Sequence, residues 1–185
     1  LNVGAGSITL IADYQASSST TTITSTGTLT IAPFNSAFTD SAGTARAFTW
    51  SGSGTNFVGT GSINAMTINS IAGLTGLVIG KSSSTANSNV TVSNAIGIAG
   101  PISIYGGNIT VSAALTTTGS ASNSVTLVAS DSIKVAGNIT TSGGAVLISS
   151  NSDGSNGGAI NTNAATISTS GGNITLGGGT DGTGY

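Results

Sequence analysis

The feature that most limits the fold is a short step, apolar–polar–apolar, repeated along the chain and closed each time by small turn residues. Ile8-Thr9-Leu10, Leu29-Thr30-Ile31, Val90-Thr91-Val92, Ile102-Ser103-Ile104 and Ile109-Thr110-Val111 are examples. Val125-Thr126-Leu127, Ile133-Lys134-Val135 and Ile174-Thr175-Leu176 continue the pattern, with Val146-Leu147-Ile148 as an all-apolar variant. Alternation with period two sends the apolar side chains to one face of a strand. Between the steps stand Gly106-Gly107-Asn108, Gly143-Gly144 and Gly171-Gly172-Asn173. Gly and Asn enter the left-handed backbone region at little cost, so these are turns. Strands this short do not support an isolated sheet.

A longer self-match sets the spacing. Thr141 to Ile148 (TSGGAVLI) and Thr169 to Leu176 (TSGGNITL) are equivalent at an offset of 28 residues, and Asp153-Gly154 and Asp181-Gly182 follow at the same offset. A looser copy places Val125 21 residues before Val146. A period of 21–28 residues with uniform strand chemistry predicts a solenoid. The architecture that makes short strands stable is a right-handed parallel β-helix, each strand pairing with its counterpart in the next coil. At that period the chain would wind about seven to nine coils into a rod of roughly 35–45 Å.

Composition agrees. Ser, Thr, Gly and Asn supply 105 of the 185 residues, and 37% of the chain is apolar. These are poor helix formers, whereas Ile, Val and Thr favour strands. A net charge of −2 with this apolar content does not fit a disordered chain. No run approaches the roughly 18 apolar residues of a membrane helix. The chain opens on Leu1 and closes within its repeat, which is expected of one segment, residues 1–185, of a larger exported protein or filament. Pro33 to Phe57 breaks the rhythm and holds Phe34, Phe38, Phe48, Trp50 and Phe57, five of the eight aromatic residues. It reads as an insertion at residues 33–57 that leaves the rod or packs on its side.

The charged inventory excludes most chemistry. It consists of Asp13, Asp40, Asp131, Asp153, Asp181, Arg46, Lys81 and Lys134, with no Glu, His or Cys. A Ser-His-Asp triad, a thiol nucleophile and a zinc site of the usual ligands are out of reach. Three cations make no footprint for nucleic acid. Dispersed carboxylates do not suit the paired acids of a polysaccharide-cleaving β-helix, so no enzyme, no catalytic residue and no cofactor are expected. Gly177 to Gly182 is a poor match to a calcium roll, because its Asp is misplaced and solitary, and no metal site is assigned.

The remaining motifs each have a structural explanation. The Asn-x-Thr sequons at Asn89, Asn108, Asn138 and Asn173 precede strands, where Asn serves a turn. Thr20-Thr21-Thr22, Thr24, Thr26 and Thr28 would suit ice or flat carbohydrate only if they formed a flat array; outward Thr is also ordinary strand chemistry. Lys134 near Asp131 reads as an exposed ion pair. Arg46, Phe48 and Trp50 form the one candidate contact patch, since exposed aromatics and Arg anchor interfaces, with packing onto the rod as the competing reading.

The Gly-Asn-Ile-Thr blocks at 107–110, 137–140 and 172–175, the TSGG coils and the Asp-Gly loops together resemble filamentous haemagglutinin-like surface proteins. Leu29 to Pro33, Leu74 to Lys81 and Ile98 to Gly107, in that order, are similar to stretches of such adhesins. The resemblance spans essentially the whole chain. It implies a right-handed parallel β-helix, export to the bacterial outer surface, and attachment to a host, neighbouring-cell or matrix surface through glycan or protein. The expected role is a non-enzymatic rod in an adhesin or surface fibre. Open solenoid ends are unpaired strand edges, so a self-assembling filament subunit is the first alternative. A carbohydrate-binding module is the second.

Overall fold

The computed structural model describes residues 1–14, 21–50, 56–57, 66–68, 71, 73–82, 88–155 and 157–179. Among these the chain is all-β, a parallel β-helix with no helical segment. No helix is long and apolar enough to cross a membrane among the described residues.

Each complete coil has three faces. The first is a seven-stranded sheet of Ile8–Ile11, Thr28–Ala32, Gly76–Ile79, Ile102–Gly106, Val125–Ala129, Val146–Ser150 and Ile174–Gly178, stacked in chain order. The second stacks Phe48–Trp50, Val90–Val92, Ile109–Val111, Ile133–Val135 and Ile160–Asn161. The third stacks Ile96–Ile98, Leu115–Thr117, Ile139–Thr141 and Ile167–Ser168. Thr21–Ile23 pairs with Met66–Ile68 at the equivalent point of the early coils. All these pairings are parallel. Among the described residues, one antiparallel strand pair sets Asn56–Phe57 against Phe48–Trp50.

Register along the first face carries Ile8 onto Leu29, Leu29 onto Leu77, Leu77 onto Ile102, Ile102 onto Val125, Val125 onto Val146 and Val146 onto Ile174. The last two steps are the 21- and 28-residue offsets expected from the self-match. Six steps replace the expected seven to nine coils, and at about 4.8 Å each they span roughly 29 Å. The shortfall has one main source. The step from Leu29 to Leu77 takes 48 residues instead of one period.

The aromatic segment is the cause. It leaves the first face after Ala32 and rejoins the second face at Phe48, whose strand sits on Val90–Val92 in parallel register. Phe48 and Trp50 point into the solenoid and are 0% and 1% exposed. Phe38 packs beside Phe48 with ring centroids 5.5 Å apart. Its backbone N–H donates to Ser88 Oγ at 2.7 Å. Phe38, Phe48 and Trp50 therefore pack into the rod, and Phe34 is left on the surface.

A single core runs the length of the stack. Leu29, Ile31, Ile79, Ile102, Ile104, Val125, Leu127 and Ile148 are fully buried on the first face. Val92, Val111 and Val135 do the same on the second, and Ile96, Leu115 and Ile139 on the third. Burying each such side chain stabilises the fold by about 1.5–3 kcal/mol. The three-residue strands bury their first and third residues and turn the second outward, which is why the apolar–polar–apolar step works.

Candidate functional site

The corners between faces carry the specific polar chemistry. One device uses the residue just before the first inward-facing side chain of a strand, at five places along the stack. Its side-chain oxygen accepts the backbone N–H of the equivalent residue one coil on. Asn89 Oδ1 accepts from Asn108 N at 2.9 Å, Asn108 Oδ1 from Ser132 N at 3.2 Å, and Ser132 Oγ from Ala159 N at 3.1 Å. Asn138 Oδ1 accepts from Thr166 N at 3.0 Å, and Ser7 Oγ from Thr28 N at 3.1 Å. Three of the sequon asparagines thus spend their carboxamide oxygen on stacking one coil against the next.

A second device caps the turn from the third face to the first. The buried hydroxyls of Thr117, Thr141 and Thr169 donate to the carbonyls of Asn123, Gly144 and Gly172. Buried polar groups need such partners. Asn123, itself buried, donates through Nδ2 to Ala99 O at 2.9 Å and to Thr118 O.

The third device is the glycine two residues before the first inward-facing residue of a strand. A Cβ on Gly100 would lie 1.9 Å from Thr75 O, and one on Gly27 would lie 2.6 Å from Gly6 O. Gly144 and Gly172 face the carbonyls of Asn123 and Gly144 in the same way. Gly137 over Ala113 O and Gly158 over Asp131 O repeat the contact at the other two corners.

The charged residues are scattered over the surface and tied to loops. Asp40 forms an ion pair with Arg46, whose Nε donates at 3.1 Å. Asp40 also accepts from Thr44 N at 2.9 Å and Ala42 N at 3.0 Å. The Thr44 N–H, then the Arg46 guanidinium, hold its carboxyl below the usual range. Asp153 accepts from Ser155 N at 3.0 Å and Ser155 Oγ at 2.8 Å, which lowers its pKa too. Asp13 accepts from Asn35 N and Nδ2. Lys81 Nζ donates to Phe34 O and Asn35 O. Asp131 accepts from Ser132 Oγ at 3.1 Å and forms no ion pair with Lys134, which points outward from Ile133–Val135. Asp181 lies outside the described residues. Among the described residues no group of three metal-ligating side chains forms.

The patch of Arg46, Phe48 and Trp50 does not assemble on the surface. Alternation along Phe48–Trp50 sends both rings inward and leaves only Thr49 facing out. Arg46 is committed to Asp40. Three-residue strands offer one outward side chain each, so Thr49, Thr91 and Thr110 form one column on the second face that Lys134 ends, and Thr116 and Thr140 form another on the third that Ser168 continues. Of the N-terminal threonines, Thr26 Oγ1 donates to Gly4 O at 3.2 Å. Thr20 lies outside the described residues.

The corner ladders were only partly legible. Asn before Ile or Val flagged them, but only register shows which atom accepts from which coil. Comparison with protein-family models, with curated proteins and with solved structures finds no match for the chain.

Proposed function

We propose that this chain is a non-enzymatic, load-bearing rod of an extracellular adhesin or surface fibre, and that it holds contact-making parts away from a bacterial outer surface. The observation that carries the reading is the seven-stranded parallel sheet whose register runs without a break from Ile8 to Gly178. A rod of this kind needs stiffness along its axis and little chemistry on its sides. Stacked backbone bonds, corner ladders and a continuous aliphatic core supply the stiffness. Outward Thr, Ser and Asn with few charges give sides that are wet and unreactive. The resemblance to haemagglutinin-like surface proteins supports the surface setting, and its partner would be a glycan or protein on the opposing cell or matrix.

The test is antibody labelling of intact producing cells, paired with attachment assays on cells whose gene lacks one in-frame coil, residues 146–173. Surface labelling with attachment shortened in reach is the expected result. Labelling only after lysis would overturn the proposal.

A further inference from the structure

The outward positions of the three faces are not alike. On the second face they are Thr49, Thr91, Thr110, Lys134 and Asn161. On the third they are Gly97, Thr116, Thr140 and Ser168. The longer strands of the first face present two outward columns, and there large apolar side chains come to the surface. Across four successive coils in the middle of the stack, the side-by-side pairs are Val78 with Gly80, Ser103 with Tyr105, Thr126 with Val128 and Leu147 with Ser149. Val78, Tyr105, Val128 and Leu147 are half-buried, whereas Gly80 and Ser149 are sunk between their neighbours and buried. Thr30 with the buried Ala32 repeats the large-and-small pairing one coil before Val78. None of these positions carries a charge.

We propose that the first face is a contact between two copies of this chain, laid side by side and parallel, with a two-fold axis along the rod. Such an axis sets each outward column of one copy against the other column of the second, coil for coil. Val78 of one copy then faces Gly80 of the other, Tyr105 faces Ser103, and Leu147 faces Ser149. In these three coils a large side chain enters the space over a small one. In the fourth, Val128 faces Thr126, a residue of like size. Every pair is made twice, as a self-complementary two-fold contact requires. Turning one copy end over end about the same four coils instead opposes Val78 to Leu147 and Tyr105 to Val128, and leaves Gly80 over Ser149. Alternation of large and small across facing positions lets two sheets close to their usual spacing of about 10 Å. An uncharged strip suits the dry centre of such a contact. Seven strands at about 4.8 Å and two columns about 6.6 Å apart give a strip of roughly 34 by 13 Å, so two strips bury roughly 900 Å². Specific interfaces begin near about 1,000 Å², so the pairing is weak and reversible. All the facing side chains point away from the axis, so the pairing depends neither on the ends of the stack nor on the surface role. Each can fail alone.

Sedimentation equilibrium of the full chain decides it. The weight-average mass should rise with concentration from 17.6 kDa toward twice that value and level there. A mass fixed at the monomer up to about 1 mM, or one that climbs past the dimer, overturns the proposal. Val128→Lys should hold the chain at the monomer mass with an unchanged circular dichroism spectrum, and dimerisation equal to the parent's overturns it. Cross-linking gives a second readout that leaves the four central pairs untouched. The chain has no cysteine, so single Cys variants treated with a short bismaleimide report geometry alone. Thr30→Cys should give a covalent dimer, because position 30 of both copies stands in the same coil. Thr116→Cys, on the third face, should give none. No dimer from Thr30→Cys, or an equal yield from Thr116→Cys, overturns the pairing. The end-over-end arrangement sets position 30 of the two copies five coils, or about 24 Å, apart, beyond the linker, and so falls under the first of these outcomes.

Discussion

The carbonyl oxygen of Asn123 lies directly beneath Gly144: a Cβ at Gly144 would stand 2.1 Å from it. The oxygen belongs to backbone held by Thr117, whose hydroxyl donates to it, so it has no room to move aside. The same relationship at Gly100, Gly137, Gly158 and Gly172 makes glycine the residue that lets one coil settle on another.

Gly144→Ala should therefore lower stability by about 1–3 kcal/mol, the usual cost of forcing extra volume into a packed contact. Gly97→Ala is the control. Gly97 points outward from Ile96–Ile98 with nothing within 4 Å of a new Cβ. There the substitution should be neutral or stabilising by about 0.4–1 kcal/mol, because it restricts the unfolded chain. Urea melts of the two variants check the contrast.

The ladder predicts which side chains are interchangeable. Ser7 and Ser132 do with a hydroxyl what Asn89, Asn108 and Asn138 do with a carboxamide. Asn108→Ser should keep most of the stability, whereas Asn108→Ala should lose about 0.5–1.5 kcal/mol, the net worth of one hydrogen bond. Amide exchange at Ser132 N–H should quicken in the Ala variant and stay slow in the Ser variant.

Trp50 is the chain's one tryptophan and reports on the aromatic segment. Its burial predicts blue-shifted emission and poor quenching by acrylamide. Trp50→Ala should cost about 3–5 kcal/mol, as for other large core truncations. Arg46→Ala, which opens a partly exposed ion pair, should cost under about 1 kcal/mol. An exposed, quenchable tryptophan would contradict the placement.

Stability should fall only in acid. Asp40 and Asp153 both have carboxyls held below their ordinary range in the folded chain, by the Thr44 N–H with Arg46 and by Ser155. Each then contributes stability that is complete above the ordinary Asp value of about 3.9 and is lost as pH falls through the lower folded value. With no His or Cys in the chain, no side chain has an ordinary pKa between about 5 and 8. Thermal melts should be level across that window and drop below about pH 4. Asp40→Asn should make the acid drop shallower.

The all-β class, the parallel stacking and the inward columns were readable because a strand's period of two is a local property of the chain. The 28-residue match named the Val146–Ile174 pair, and the 21-residue match named Val125–Val146, before any fold was known. The contact patch misled because three aromatic and cationic residues close in sequence look like a surface cluster. Alternation in the strand Phe48–Trp50 separates them, two rings inward and Arg46 outside it beside Asp40.

The sequence by itself determined the strand chemistry, the faces each strand presents and the approximate coil length, since all three depend on residues near one another along the chain. Tertiary structure alone decided that Leu77 stacks on Leu29 across 48 residues, that Phe48 and Trp50 complete the core, and that Gly144 is irreplaceable while Gly97 is not. The reason is that a residue's neighbour along the axis is the coil below it. Only the winding of the intervening chain decides which carbonyl or side chain that coil puts there.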